Sequence, residues 1–370
     1  MRIDDVEIFE VRLPLVRSFE TSSSKKSSIT HLLIRVRHEG LVGWGECAAP
    51  VDPFYCPETT ETCFHILRDF LVPSMLGRDW DSIEEFVGFH RLVKGNGFAR
   101  AGLEMAACDL LSRSRGQSLA EFLGGTRTEI LSGVSLGIER DHAALPALIE
   151  RYLSEGYRRI KLKIAPGHDV DVVAAVRGRF PEIALQVDAN SAYTLEDSST
   201  LEALDDFGLI LIEQPLAHDD IIDHAQLQAR MKTPICLDES IHSAADARKA
   251  IEIGACRIIN IKVGRVGGLL EAKRIHDVCR EHGVPVWCGG MHEFGVGRAA
   301  NLAISSLPNF SIPGDVSGSD KYFHEDVVVP PIMAENGSIP VPTGPGLGIT
   351  VMEDRIRTLA LRSWSSSTIT

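Results

Sequence analysis

Five charged residues follow one another along the sequence at a nearly constant interval. They are Lys163, Asp188, Glu213, Asp238 and Lys262. The first three intervals are of 25 residues and the last is of 24. If one strand and one helix fill each interval, the five side chains end successive parallel strands at the same height. Three carboxylates would then lie side by side, with an amine at each end of the row.

A row of three carboxylates in a poorly hydrated cleft predicts a bound metal ion, because neighbouring negative charges repel one another strongly. Asp188, Glu213 and Asp238 offer only oxygen ligands, which suits Mg²⁺, with Mn²⁺ as a substitute. A substrate carboxylate bound there would have its α-proton acidified, because the metal stabilises the enediolate formed on deprotonation. The pattern therefore predicts a small-molecule carboxylate as substrate.

The two outer lysines are placed to move that proton. Lys163 is predicted to act as the base, because partial burial and a second ammonium at Lys161 would lower its pKa toward neutrality. Lys262, on the other side of the row, could approach the opposite face of the same carbon. A single charged residue at a strand end is more often a solvated loop residue or a helix cap. Five independent surface charges, however, need not keep a common phase.

The interval belongs to a repeat of strands and helices. Short apolar runs alternate with amphipathic segments through seven units, and "NFSIPGD" supplies an eighth strand. Such alternation implies a parallel sheet with right-handed crossovers. We therefore predict a (β/α)7β TIM-type barrel of the α/β class over residues 126–329. Residues 1–125 read as strands followed by helices and predict an α+β domain, on which the tail 330–370 packs back.

Composition narrows the class of protein. The chain is 44% hydrophobic and 24% charged, with a net charge of −13, which argues against nucleic acid and against anionic membrane surfaces. No apolar run is long enough to span a membrane. The eight cysteines are scattered, without a CxxC or another metal-ligand spacing, which indicates reduced thiols. These features predict a cytoplasmic protein without nucleic-acid or membrane partners.

Two other patterns carry less weight. Residues 295–300 give G-x-G-x-x-A, with Asp315 following, which mimics a dinucleotide-binding fingerprint. It falls in the last unit of a barrel rather than in the first unit of an open sheet, so we do not expect a dinucleotide there. The remaining pattern is a group of histidines without metal-ligand spacing, expected at the surface or at helix ends: His276, His282 and His292.

The charged series resembles the enolase superfamily, in its muconate-lactonizing-enzyme-like group. "KLKI" at 161–164 is similar to the family's KxK motif, and "KVGRVGG" at 262–268 is similar to its KxxxxGG motif. "GWGEC" at 43–47 and "GVGRAANLAISSLPNF" at 295–310 resemble the o-succinylbenzoate synthase / N-succinylamino acid racemase branch. The resemblance implies an α+β capping domain over the barrel, a Mg²⁺ site at the three carboxylates and a homo-oligomer.

The resemblance also implies roles for individual residues. Lys163 would take the α-proton, and Lys262 would stabilise the enediolate in the synthase reaction or act as second acid/base in racemisation. Arg265 would tune Lys262, with Glu239 and Asp315 as further supporting residues. The implied substrate contacts are Lys161, Ser135, Asn190, Gly290, Met291, Phe19 and Phe54, the last two from loops of the capping domain.

The leading expectation is a lyase, an o-succinylbenzoate synthase of menaquinone biosynthesis. N-succinylamino acid racemase, an isomerase, is the main alternative or a second activity, since both lysines that racemisation needs are present. Muconate cycloisomerase and dipeptide epimerase are less favoured, the latter because "PGDVSGSD" lacks an aspartate pair for a dipeptide amine. A metal-binding barrel without catalysis would require the loss of a lysine or a ligand. A Schiff-base lysine enzyme would not need three aligned carboxylates.

Overall fold

The computed structural model describes residues 1–20, 25–138 and 144–369. The strands of these residues are, in chain order, β1 Asp5–Glu20, β2 Lys25–His38, β3 Leu41–Cys47, β4 Glu129–Leu131, β5 Val134–Leu136, β6 Arg159–Lys163, β7 Ala184–Asp188, β8 Ile212–Glu213, β9 Ile235–Leu237, β10 Ile258–Ile261, β11 Val286–Cys288, β12 Val328–Val329, β13 Ser338–Pro340, β14 Thr350–Val351 and β15 Ala360–Ser365. The helices are α1 Thr60–Ile66, α2 Val72–Met75, α3 Ile83–Gly88, α4 Gly97–Ser114, α5 Leu119–Leu123, α6 Leu145–Ser154, α7 Val170–Arg179, α8 Ser198–Ala203, α9 Ile222–Arg230, α10 Ala244–Glu252, α11 Val263–Val266, α12 Leu269–Glu281, α13 Gly295–Ser305 and α14 Glu353–Leu359.

The first three strands form an antiparallel sheet with the order β15-β1-β2-β3, so the last strand of the chain lies beside the first. Side chains of β1 alternate between core and solvent: Val11 and Leu13 are buried, whereas Arg12 and Pro14 are exposed. A two-residue turn joins β2 to β3, and its second residue, Gly40, has φ 85°. This left-handed conformation suits glycine and matches the twist of a hairpin.

Helix α4 connects this sheet to the barrel. It is buried along most of its length, because β3 covers one side and α11 of the barrel contacts another. Two glycines of the GWGEC segment make the close approach of β3 and α4 feasible. A Cβ atom on Gly43 would overlap the backbone of Ala106, and one on Gly45 would overlap that of Gly102. The segment therefore serves packing between layers.

The middle of the chain forms a parallel sheet with the order β11-β10-β9-β8-β7-β6-β5. Residues 309–315 close it: Phe310 bridges Val286 at one edge, and Gly314 bridges Ser132 near the other, both in parallel. The predicted (β/α)7β barrel with an α+β capping domain is thereby confirmed, with its eighth strand reduced to single bridges. The boundaries drawn above at residues 125 and 330 stay a prediction.

A small apolar cluster inside the barrel forms a floor beneath the strand ends. It consists of Leu211, Cys236, Ile258 and Trp287, all buried. The indole nitrogen of Trp287 donates to the sulfur of Cys236 at 3.3 Å. The ammonium of Lys161 lies 4.8 Å from the centre of a Trp287 ring, so the charged mouth of the barrel rests on this apolar layer.

Two further observations concern the chain as a whole. Within residues 1–20, 25–138 and 144–369, none of the helices combines the length and the apolar character needed to cross a membrane. All eight cysteines lie within the described residues and are free thiols.

Candidate active site

The sheet order places the five charged residues side by side. Asp188 ends β7, Glu213 ends β8, and Asp238 directly follows β9. Lys163 is paired in register with Asp188, and Asp188 with Glu213. Because β6 and β10 flank these three strands, Lys163 and Lys262 lie on opposite sides of the carboxylates. The three carboxylate side chains are at most 2% exposed, so the five residues form one buried charged cluster.

Each outer lysine is held by a carboxylate. The amine of Lys163 lies 2.6 Å from Asp188 Oδ2 and 2.5 Å from Asn190 Oδ1. The amine of Lys262 lies 2.7 Å from Asp238 Oδ2. Burial raises the pKa of Asp188, but the charges of Lys163 and Lys161 outweigh burial, and the pKa is held below its usual range. The carboxylate is therefore the stable form of Asp188 in this cluster.

Lys161 is matched by more negative charge than the sequence suggested. Its amine lies 2.6 Å from Asp315 Oδ2, 3.0 Å from Glu213 Oε2 and 3.3 Å from Asp188 Oδ2. Burial lowers the pKa of Lys161, but these three carboxylates outweigh it and raise the pKa above its ordinary value. Their charge limits the repulsion that we expected Lys161 to exert on Lys163.

The chemistry of the donors fits a hard divalent cation, although the side chains are drawn toward lysines. In the part of the chain that the structure describes, no three His, Cys, Asp or Glu side chains are arranged to hold a metal ion. The carboxylates of Asp188, Glu213 and Asp238 contact ammonium groups instead. Two buried acceptors beside them, Glu239 Oε2 and Asn260 Oδ1, have no hydrogen-bond partner among the described residues. Oxygen donors in excess of their partners are the set that Mg²⁺ prefers.

Tyr55 joins the cluster from the capping domain. Its hydroxyl lies 3.1 Å from the amine of Lys262 and donates to Asp238 Oδ1 at 3.3 Å. The ammonium also lies 4.4 Å from the centre of the tyrosine ring. Sequence reasoning placed the segment 53–55 over the site but chose Phe54 as the contact, and Phe54 lines the cavity but is 64% exposed. The signal in the sequence was the hydroxyl of Tyr55, the one side-chain group of residues 53–55 that can hydrogen-bond to a lysine.

Arg265 lies against the same carboxylate that binds Lys262. Its guanidinium forms an ion pair with Asp238 and donates to two backbone carbonyls at 2.8 and 2.6 Å. Any influence of Arg265 on Lys262 can therefore pass through Asp238. Asn260, which sequence reasoning did not single out, donates to Glu213 Oε1 at 2.7 Å and orients that side chain.

A cavity of about 240 Å³ opens above the cluster, between the barrel mouth and the capping domain. Ser135 donates to Asp315 Oδ1 at 2.9 Å, and Asn190 donates to Glu239 Oε1 at 3.0 Å, so both are held in its wall. The predicted site residues in the wall are Lys161, Lys163, Lys262, Asp188, Ser135, Asn190, Gly290, Met291, Phe54, Glu239 and Asp315. The ones outside it are Glu213, Asp238 and Arg265, and the side chain of Phe19 lies outside the described residues.

The cavity also contains residues that sequence reasoning missed. They are His31, His292, Arg298 and Tyr322 among others. The expectation for the histidines holds for His282, which is exposed at the end of α12. It is wrong for His292, which lines the cavity, and for His276, which is buried with its ring stacked on Phe310. Their positions depend on how loops and helices pack, which spacing along the chain does not reveal.

Comparison with known proteins agrees with this architecture. Residues 3–124 match the mandelate racemase / muconate lactonizing enzyme N-terminal domain, and residues 144–355 match the enolase C-terminal domain-like family. The chain is 51% identical to o-succinylbenzoate synthase of Geobacillus kaustophilus, covering 92% of this chain and 90% of the relative. It is 49% identical to N-succinylamino acid racemase of an Amycolatopsis species, covering 94% and 95%. The crystal structure of an enolase superfamily member from Listeria innocua superposes with a TM-score of 0.96 at 38% identity, covering 99% of each chain.

These matches span nearly the whole chain, and they coincide with the fold and with the row of charged residues described above. The chain therefore belongs to the mandelate racemase / muconate lactonizing enzyme group of the enolase superfamily.

Proposed function

We propose that this protein removes the α-proton of a carboxylate substrate in a metal-dependent reaction, with o-succinylbenzoate synthesis as its main activity. The observation that carries the proposal is the position of Lys163 and Lys262 on opposite sides of three buried carboxylates, in the wall of one cavity. Relatives at about half sequence identity carry the name of the synthase, and others carry the name of N-succinylamino acid racemase.

Enzymes of the enolase superfamily use a divalent metal, and we propose Mg²⁺ here, with Mn²⁺ as a substitute. Asp188, Glu213 and Asp238 would hold it. When bound, the ion supplies positive charge that neutralises the carboxylates and makes the α-proton of a bound carboxylate more acidic.

The remaining steps belong to side chains of this chain. Lys163 takes the α-proton, and Asn190, 2.5 Å from its amine, orients it. Lys262, held by Asp238 and Tyr55, presents a positive charge to the electrons left on the substrate. In the synthase reaction the β-hydroxyl of a cyclohexadiene carboxylate then leaves, and with the proton that was removed it makes up one molecule of water.

Racemisation is the second candidate, because a lysine is present on each side of the same site. In that reaction Lys163 removes the proton from one face and Lys262 returns a proton to the other. Dehydration needs only one base, so the two activities depend differently on Lys262. One protein with this site can perform both.

The test is an activity screen of the cyclohexadiene substrate against N-succinyl amino acids, with and without EDTA, and with α-hydrogen exchange followed in D₂O. We expect EDTA to abolish both activities and added Mg²⁺ to restore them. Lys262→Ala should lose racemisation while keeping part of the dehydration. Failure of every carboxylate in the screen to exchange its α-hydrogen would refute the proposal, and racemisation without dehydration would make the racemase the main activity.

We also keep the proposal of a homo-oligomer, which the family resemblance implies. Light scattering coupled to size exclusion measures it directly.

A further inference from the structure

Arg298 is a buried cation, and no carboxylate of the described residues forms an ion pair with it. It lies in the first turn of α13, is 3% exposed and lines the cavity. Its guanidinium donates to the carbonyl oxygens of Ser317 and Glu293, the second at 2.6 Å, and its Nε atom has no partner among the described residues. An unmatched charge in a buried site is unfavourable, so its retention in a cavity wall indicates an anion that binds there.

The acidic side chains beside Arg298 are already engaged. The carboxylate of Glu46 accepts hydrogen bonds from the backbone amides of Phe294 and Gly297, at 2.8 and 2.7 Å, and contacts His31 at 2.7 Å. The carboxylate of Glu293 accepts from the amide of Met291 at 2.9 Å. Neither carboxylate forms an ion pair with Arg298, and no other acidic group of the described residues does.

Two lysines, Lys26 and Lys321, add positive charge at this end of the cavity. The ring of Tyr322 lies 5.6 Å from the Arg298 guanidinium and 5.2 Å from the amine of Lys321. The ring of His292 contacts Tyr322 edge-on at 4.8 Å. Burial lowers the pKa of His292, and the charges of Lys26 and Lys321 lower it further. We call this region the cationic end, defined by Arg298 and Lys321 at the Tyr322 ring and by Lys26 in the cavity wall.

The cationic end and the catalytic lysines belong to the same cavity. Arg298, Lys26 and Tyr322 line it together with Lys163 and Lys262. Both ends open into the same cavity of about 240 Å³, so a single small ligand can reach both. A ligand with one carboxylate at the lysines would therefore have room for a second anionic group at Arg298.

We propose that Arg298, assisted by Lys26 at the rim, binds the distal carboxylate of a dicarboxylate substrate. This inference rests on the proposed function, which places the reacting carboxylate at the other end of the cavity. It adds a specificity-determining residue, Arg298. The acyl arm of the substrate is selected for a terminal carboxylate, because a guanidinium binds a carboxylate better than it binds an uncharged amide.

The test compares an N-succinyl amino acid with the N-succinamoyl derivative of the same amino acid, in which an uncharged amide of similar shape replaces the distal carboxylate. α-Hydrogen exchange in D₂O, with Mg²⁺ present, gives kcat/KM for each compound. The ratio of the two values measures the preference for the distal charge. We expect Arg298→Gln to lower this ratio by about tenfold or more. A folded Arg298→Gln variant with the wild-type ratio overturns the proposal, as does a wild-type ratio near one.

Arg177 offers a matched control, because its guanidinium also donates to backbone carbonyls, those of Phe207, Pro181 and Ile183, and does not line the cavity. Arg177→Gln should leave the ratio at the wild-type value. An equal fall in both variants would mean that loosened backbone, rather than lost charge, sets the preference. If Arg298→Gln does not fold, Arg298→Lys decides. Its shorter ammonium cannot hold two carbonyls and an anion, so the ratio should fall about threefold, and an unchanged ratio overturns the proposal.

Calorimetric binding of the same two compounds separates this inference from the proposed function. If the wild type exchanges neither compound and also leaves the cyclohexadiene substrate unchanged, the proposed function fails. The role proposed for Arg298 still stands if Arg298→Gln weakens the binding of the succinyl compound but not of the succinamoyl compound. It falls if each compound binds with the same affinity to wild type and to Arg298→Gln. If exchange occurs and the ratio of the two kcat/KM values is the same in wild type and in Arg298→Gln, the role proposed for Arg298 is wrong and the proposed function stands.

Discussion

We predict that the protein loses stability as the pH rises toward about 7, because of the buried carboxyl group of Glu104. This residue of α4 is 3% exposed and accepts a hydrogen bond of 2.8 Å from the backbone amide of Leu270, at the start of barrel helix α12. Burial raises the pKa of Glu104 from its ordinary value of 4.5 to about 7 in the folded protein. The carboxyl group therefore joins the capping domain to the barrel most favourably when it is protonated.

The sign of the effect follows from linkage between proton binding and folding. Below pH 4.5 both the folded and the unfolded chain hold the proton on Glu104, and its contribution is complete. As the pH rises to about 7 the unfolded chain loses that proton first, so the free energy of unfolding falls. At roughly 1.4 kcal/mol for each pH unit, the loss amounts to about 3 kcal/mol.

The perturbation that isolates this effect is Glu104→Gln, which keeps the acceptor for Leu270 but cannot ionise. Urea unfolding of wild type and variant, in EDTA from pH 4.5 to 8, measures the difference in stability between them. We expect the variant to gain about 3 kcal/mol relative to wild type across this range. Glu281→Gln, at the exposed last residue of α12, is the control. Its free energy of unfolding should change with pH in the same way as that of wild type. If the free energies of unfolding of wild type and Glu104→Gln changed with pH in the same way, the reasoning would be refuted.

Three further predictions concern the same elements and the site. Gly268→Ala should lower the free energy of unfolding by about 2 kcal/mol or more, because Gly268 has φ 137° and its Cβ would overlap the carboxylate of Glu104. Gly283→Ala, at φ 69° with open space around it, should cost about 1 kcal/mol, and equal costs in the two variants would contradict the overlap. Tyr55→Phe should lower kcat/KM for α-hydrogen exchange about tenfold with little change in thermal stability, because Lys262 loses a hydroxyl contact of 3.1 Å; an unchanged kcat/KM would show that the hydroxyl is dispensable. Lys163→Ala should reduce kcat at least about a thousandfold while leaving the fold intact by circular dichroism, and full turnover would remove Lys163 from the mechanism.

Much of the architecture could be predicted because it repeats. A strand and a helix of nearly constant length bring Lys163, Asp188 and Glu213 to the same edge of the sheet, and the observed register pairs these positions directly. Periodicity within a strand or a helix is a local property, so it is visible in the sequence. The KxxxxGG segment was recognised by its resemblance to a motif of the enolase superfamily, but the reason for its last glycine, the carboxylate of Glu104, was not.

The sequence by itself determined the repeat, the phase of the charged residues and the oxygen-rich character of the site. Only the tertiary structure decided what surrounds them. Tyr55 reaches Lys262 across 207 positions of the chain. Arg298, which pairs with no carboxylate of the described residues, is held by the carbonyl oxygens of two loops that follow different strands. Such contacts are made by packing the capping domain on the barrel, and no periodic signal records them, because the free energy of packing depends on shape and solvent exclusion rather than on spacing along the chain.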